Sequence, residues 1–313
     1  MSGFDLLVLG DVNPDLILHG DTVVPAFGQA ERLVDEARLV IGGSGAILAC
    51  GAAKLGLRVA LAGVVGDDMF GRYMCERLQA HGVDTSAVVV LPDRPTGVTV
   101  VLSGRHDRAM LTSPGTIGEL RRSVIDEDLL RRTRHVHVSS YFLQRELAPE
   151  LPGLFHDARA GDTTTSLDPN WDPTGVWDSG LTALLPEIDV FLPNEVEALS
   201  MARISVVEDA IARLRSSGAG TVVVKTAAQG SVGAQAGDLV AVPALPTQVL
   251  DSTGAGDSFD AGFLAAFLAG EPLRRCLEIG NACGALSTRG IGGTSTQPTM
   301  AEALEAIERG SVP

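Results

Sequence analysis

Short apolar runs alternate with Ala-rich or polar helical stretches along most of this chain, and that alternation admits few architectures. The first run, Asp5-Leu6-Leu7-Val8-Leu9-Gly10, is hydrophobic between its ends and closed by a glycine, as a strand buried on both faces should be. A helix is predicted over 44–56, a strand over 58–65, a helix over 69–81 and a strand over 86–91. Further strands are expected near 134–139, 163–168, 188–192 and 221–225, and the last third turns helical at 257–269, 272–288 and 299–308. Two β-type runs, 97–103 and 108–112, break the alternation around Gly104-Arg105-His106-Asp107, a hairpin turn. With short strands between 16 and 40 they predict a small accessory sheet. A sheet set beside a crevice is a candidate lid. The expectation is one α/β domain over 1–313, with a mainly parallel sheet between helices and lid segments at about 12–40 and 96–112.

Composition agrees with such a core and narrows the partners. Hydrophobic residues make up 45% of the chain and aromatics only 4%, so the interior must be aliphatic. The 24 Lys and Arg against 39 Asp and Glu leave a net charge of −15, which repels nucleic-acid phosphates and anionic membrane surfaces. An anionic ligand would then need backbone amides, a metal or a few placed cations. Cys50, Cys75, Cys276 and Cys283 show no C-x-x-C spacing and read as buried free thiols of a reducing compartment. No leader-like segment opens the chain, and its apolar runs are interrupted well before the roughly 18 residues of a membrane span, so a cytoplasmic location is expected.

In an open parallel sheet ligands sit beyond the carboxyl ends of the strands, so polar segments there carry the search for chemistry. Asp251-Ser252-Thr253-Gly254-Ala255-Gly256-Asp257 runs straight into an apolar helix. Small residues before a helix let backbone N–H groups converge on an anion, and Asp257 would sit beside them as a proton acceptor. An ordinary turn with Asp257 as a helix cap fits the same residues. Ile41-Gly42-Gly43-Ser44-Gly45-Ala46-Ile47 is a second glycine-rich helix start; its spacing does not fit a dinucleotide fingerprint, because Leu48 stands where a glycine is required. In Leu192-Pro193-Asn194-Glu195-Val196-Glu197, Asn194 and Glu197 share a helix face, fit either to hold a hydrated Mg²⁺ or to cap the helix.

Together these segments resemble the PfkB, or ribokinase-like, carbohydrate kinase family. Supporting matches are Gly10-Asp11-x-Asn13-x-Asp15, Gly63-x-x-Gly66-Asp67-Asp68 and Asp168-Pro169-Asn170, in the family's order and across most of the chain. The resemblance implies a ribokinase-like three-layer sandwich with a β-sheet lid. It further implies ATP, Mg²⁺ and phosphorylation of a hydroxyl, a primary one, of a sugar-like molecule. On that match Asp257 is the base, and Gly254, Ala255 and Gly256 form the anion hole. Asn13, Asp15, Gly42 and Gly43 hold the substrate, with Ile47 at a further substrate position. Lys225, Thr226 and Gly230, with Asn194, lie on the nucleotide side; Glu197 and Asn194 organise Mg²⁺ through water. Asp251 and Thr253, with the loop 289–296, resemble a monovalent-cation region, K⁺ by analogy. Pairing of two copies through the lid is a further expectation.

Three departures from the family's pattern stand out, and the last bears on the substrate. Ala227 replaces the usual glycine of the nucleotide stretch, and Trp171-Asp172 replaces a common arginine-containing version. Ribokinases proper read G-G-K-G-A-N where this chain has Gly42-Gly43-Ser44-Gly45-Ala46-Ile47. An isoleucine cannot make the hydrogen bonds of an amide, so ribose itself is in doubt and a nucleoside kinase of the same family is the alternative. A ligand sensor without catalysis is the rival from another class, and an intact Gly254–Asp257 loop argues against it. His135 and His137 share a strand face as two metal ligands would, with no third ligand nearby in sequence. Arg105 and Arg108 flank the hairpin as exposed turn residues, or as contacts to an anionic substrate.

Overall fold

The computed structural model describes residues 3–21, 23–104 and 108–312 and folds the apolar runs into two sheets. The larger contains β1 (Leu6–Leu9), β4 (Val59–Gly66), β5 (Val88–Leu91), β8 (His135–Ser139), β9 (Thr164–Asp168), β10 (Val190–Phe191), β11 (Thr221–Lys225), β12 (Ser231–Gln235) and β13 (Asp238–Val242). Its nine strands run in the order β13-β12-β11-β10-β9-β8-β1-β4-β5, and every neighbouring pair is parallel except β11–β12 and β12–β13, so β12 alone runs against the rest. The smaller sheet is β2 (Asn13–His19), β3 (Glu36–Gly42), β6 (Val98–Ser103) and β7 (Arg108–Ser113), in the order β3-β2-β6-β7.

Strand geometry divides the interior in two, because successive side chains point to opposite faces. Leu6 and Val8 of β1 join Val59 and Leu61 of β4 in one core. This core is closed by α1 (Ser44–Lys54), α2 (Met69–Ala80), α8 (Ala255–Leu268), α9 (Leu273–Ser287) and α10 (Met300–Arg309). Leu7 and Leu9, with Ala60 and Ala62, face the other. That side is closed by α3 (Glu127–Arg131), α4 (Leu151–Ala160), α5 (Leu181–Leu184), α6 (Glu195–Ala202) and α7 (Val207–Ser216). The three-layer sandwich follows from strands that are apolar at every position. Among the described residues no helix is long and apolar enough to cross a membrane.

The expected elements appear close to their predicted bounds, with two differences. The strand near 188–192 contracts to Val190–Phe191, and the hairpin of β12 and β13 has no counterpart in the sequence reading. Ala236 and Gly237 turn that hairpin with φ of 50° and 96°. Asn-Gly is the usual signal for such a turn, and an alanine at its first position conceals it. Part of the turn expected at Gly104 to Asp107, including Arg105, lies outside the described residues.

His135 and His137 prove to be structural. His135 bonds Thr164 Oγ1 at 2.7 Å and Ser166 Oγ at 2.6 Å. His137 bonds Ser166 Oγ at 2.7 Å and Ser139 Oγ at 2.9 Å. All four ring nitrogens are engaged in this ladder, and among the described residues no cluster of potential metal ligands occurs. Burial pushes both imidazoles down to about 3, so they stay neutral in the folded protein while an unfolded chain protonates near 6.5. Between those values the unfolded state binds the extra protons, so each histidine removes stability as pH falls, by roughly 1.4 kcal/mol per unit. Urea denaturation of wild type and His135→Gln at several pH values isolates this effect from other titrations. Whatever the variant costs at pH 7.5, its deficit should shrink by about that amount per unit below pH 6; a constant deficit would show that the imidazole is not held neutral.

Candidate functional site

Chain direction collects the polar segments at one end of the large sheet. Gly10-Asp11 follows β1, Ser140 follows β8, Asp168 ends β9 with Asn170 beyond it, Asn194 follows β10 and Lys225 ends β11. Helix α8 begins there as well, with Gly254 at φ 71° as its N-cap. A Cβ on Gly254 would lie 2.7 Å from Gly293 Cα and 2.9 Å from Ile47 Cγ2, so the turn tolerates only glycine. Asp257 sits in the first turn of this fourteen-residue helix and is 8% exposed. The turn leaves helix amides available to an anion, although the Ala255 N–H is already directed to Ser252 O at 3.3 Å.

Burial, and after it the negative charge of Asp168, raises the Asp257 carboxyl to about 7. Lys225 and a hydrogen bond from Ser44 oppose that rise. An acid poised near neutrality beside a helix N-terminus is suited to taking a proton.

Beneath this turn lies one buried cation. Lys225 Nζ donates to Asp168 Oδ2 at 2.7 Å and to both oxygens of Asp260 at 3.1 and 3.0 Å. A Cβ on Gly256 would stand 3.7 Å from the ammonium, so Lys225 backs the glycine loop from inside. Burial works against its charge, yet the two carboxylates outweigh that and keep it protonated. Asp168 is likewise held ionised against burial, chiefly by Lys225, while burial raises its neighbour Asp260 well above the usual range. Lys225, expected on the nucleotide side, thus turns inward in this structure, because a buried ammonium follows its carboxylates.

Asn194 and Glu197 hold each other. Glu197 Oε2 accepts from Asn194 N at 2.8 Å, Asn194 Nδ2 donates to Glu197 Oε1 at 2.5 Å, and Glu197 N donates to Asn194 Oδ1 at 3.0 Å. This is a complete capping box at the start of α6. Burial, then Asp168, pushes Glu197 up to about 8. A divalent cation nearby would favour the ionised form, and the donor set of one carboxylate and one amide suits an ion that retains most of its water.

The small sheet brings a second group to the same end of the large sheet, where Arg108 reaches Thr253. Asn13 pairs with Gly42 and Asp15 with Thr99, which is opposite Thr112 on β7. Asn13 Nδ2 lies 3.4 Å from Thr99 Oγ1, while its buried Oδ1 has no partner. Such an orphan acceptor is ready for a hydroxyl. Gly42 lets the Asp15 carboxyl lie across the backbone, since a Cβ there would be 2.0 Å from Asp15 Oδ1. Burial, then Asp11, raises Asp15 to about 7. Thr99, Thr112 and Arg108 share this face by strand alternation, a signal that singles none of them out in sequence.

Other expected positions behave differently. Ile47 is 3% exposed and packs under Gly254 and Gly293, so the substrate position expected for it becomes a supporting one behind the turn. Asp251 Oδ1 accepts from Thr253 N at 2.9 Å and Oγ1 at 2.7 Å, and Oδ2 from Gly292 N at 2.8 Å, tying the glycine turn to the loop 289–296. Arg108 reaches the same place from the small sheet, with Nη1 2.9 Å from Thr253 Oγ1 and 4.0 Å from Asp251 Oδ1. Thr226 N donates to Gly230 O at 2.9 Å in a tight turn where Ala227 takes φ 49°, a left-handed conformation that explains why glycine is usual there.

Comparison with known proteins agrees with this geometry. A family model described as pfkB family carbohydrate kinase matches residues 4–300. The chain is 27% identical over 314 residues to a ribokinase of Haemophilus influenzae, covering 97% of this chain and 98% of that one. It is also 27% identical to a nucleoside kinase of Methanothermobacter thermautotrophicus, with coverage of 97% and 95%. A putative ribokinase II from E. coli, solved in complex with ATP and Mg²⁺, superposes with a TM-score of 0.86 at 26% identity over 99% of this chain and 100% of that one.

The buried cation generates a stability test. Lys225→Met keeps the stem and removes the charge that keeps Asp168 ionised, so thermal or urea unfolding should show a loss of about 3–5 kcal/mol. A loss under about 1 kcal/mol would mean that the carboxylates do not depend on Lys225.

Proposed function

The chain belongs to the pfkB family of carbohydrate kinases, and from that premise we propose that it transfers the terminal phosphoryl group of ATP to a hydroxyl, a primary one, of a sugar-like molecule, with Asp257 as the base. The observation that carries the reading is Asp257 itself: a buried carboxyl raised to about 7, placed on the first turn of a helix that opens through Gly254 and Gly256. Asp257 takes the proton of the attacking hydroxyl as the oxygen approaches phosphorus. N–H groups of the Gly254-Ala255-Gly256 turn, with Lys225 behind them, stabilise charge on the transferring group. Asn13, through its orphan oxygen, and Asp15, over Gly42 and Gly43, hold acceptor hydroxyls.

Thr226 and Gly230 form the nucleotide side with Asn194. Asn194 and Glu197 are the residues that would hold Mg²⁺ through its waters, and the ion would neutralise phosphate charge. Asp251 and Thr253 belong to the segment we assign to a monovalent cation, where Arg108 already brings a positive charge. The four-stranded sheet acts as a lid carrying the acceptor residues, and pairing of two copies along β7, where Met110 and Leu111 are exposed, belongs to the same proposal.

A second reading, a nucleoside acceptor, is favoured by the aromatic group next to Asn170. Trp171, 62% exposed, stands edge-on to Trp177 with ring centroids 5.1 Å apart, and Phe142 and Tyr141 continue the group. A nucleobase stacks on such rings and a free sugar offers little to them.

Asp257→Asn should retain ATP binding and lower turnover by about 10² to 10⁴. Wild-type kcat/KM should fall as pH drops below about 7, where Asp257 becomes protonated. Near-normal turnover by the variant would remove Asp257 from the mechanism. ATP consumption against free sugars, sugar acids, phosphosugars and nucleosides decides between the acceptors.

A further inference from the structure

We propose that Ser44 is a positioning residue for the base, donating its single hydroxyl proton to the Asp257 carboxylate in a direction imposed by Asn170. The inference rests on Asp257 being the base and adds a residue to which neither the sequence motifs nor the comparisons give a role.

The orientation of each group in the relay is determined by its neighbours. Asn170 Oδ1 accepts the Ser140 N–H at 3.0 Å, so the amide must present its NH₂ group on the other side. There Nδ2 donates to Ser44 Oγ at 2.7 Å. A hydroxyl that accepts from an amide has its own proton free for one acceptor, and the Asp257 carboxyl, whose ionised form Ser44 favours, is the acceptor within its reach. The serine backbone is held as firmly. Asp11 accepts Ser44 N at 3.1 Å through Oδ2 and Gly45 N at 3.0 Å through Oδ1, capping α1, while Ser140 Oγ donates to Asp11 Oδ1 at 3.2 Å. Asn170 is tied to the buried cation too, since its N–H donates to Asp168 Oδ1 at 3.1 Å. Ser140 and Asn170 take φ of 56° and 52°, left-handed values that serve to aim them at this relay.

Charge explains why a neutral donor matters here. The groups facing Asp257 are Asp11 beyond β1, Asp168 on β9, Glu197 on α6 and Lys225 on β11, with Asp260 one turn along its own helix. The single ammonium is committed to Asp168 and Asp260. Ser44 is therefore the donor that favours ionised Asp257 without bringing another charge. It also selects the rotamer, because a carboxylate held by a fixed hydroxyl presents its other oxygen to the acceptor.

The test combines kinetics with a direct titration of the free protein. Ser44→Ala should raise the acid limb of kcat by about one pH unit, the size expected of a hydrogen bond to a carboxylate, and lower kcat about tenfold or more with little change in the KM for ATP. Ser44→Thr, which keeps the hydroxyl, should restore both. Carbon-13 NMR of labelled aspartate, assigned with Asp257→Asn, should show the same upward shift for Asp257 in Ser44→Ala without substrate. An acid limb and a resonance titrating as in wild type would overturn the relay. If Asp257→Asn instead proves active while the resonance still shifts, the contact is real and the base assignment is what fails.

Discussion

One ammonium serves five carboxyl groups at the carboxyl end of the large sheet. Asp11, Asp168, Glu197, Asp257 and Asp260 converge there, and Lys225 is the cation among them. Burying so much acidity is costly unless protons, amides or cations absorb it. Asp168 and Asp260 share the ammonium, Asp260 with its carboxyl raised, and Asp11 caps a helix. Glu197 sits in a capping box and is also raised. Asp257 is left with a carboxyl near neutrality. Its poise follows from how charge is shared out around it, and no single contact produces it.

One arrangement is compatible with two readings of the same motif. Asn194 and Glu197 fit a helix cap and a metal-organising pair, and the capping box presents the carboxylate and amide that a hydrated ion would meet. At α8 the N-cap is Gly254, so Asp257 is spared from capping and stays in the first turn for chemistry. The same helix-start physics spends a side chain on the backbone in one place and keeps it free of the backbone in the other.

The layers were legible in the sequence because their signal is local. β1 and β4 have no polar side chain at any position, as strands buried on both faces tend to, and β11 carries three consecutive valines, so these announce themselves. The β12–β13 hairpin did not, since its turn is Ala236-Gly237 and its edge strands alternate weakly. In the site, the Gly254–Asp257 and Asn194–Glu197 segments could be found because both partners lie within one turn of chain. The inward turn of Lys225 and its pairing with Asp260 were not legible, because they join residues 35 positions apart through the core. Ser44 and Asn170, 126 apart, are linked only once β1, β9 and α1 are assembled. Ile47 misled for a related reason: its position beside the glycines is visible in sequence, whereas the direction of its side chain is a property of α1 packed against Gly293.

Between β1 and β2 only Gly10, Asp11 and Val12 intervene. The strand at the centre of the rigid sheet therefore passes almost directly into the one that carries Asn13 and Asp15, and β2 is the central member joining β3 to β6. On the function proposed above, the residues that hold the acceptor are built into the sheet proposed as the lid, a few bonds from its anchor. Divergence toward a new acceptor in such a scaffold cannot treat recognition and closure as separate traits: a change at Asn13 or Asp15 alters the seam along which the small sheet is attached, and selection acts on both at once.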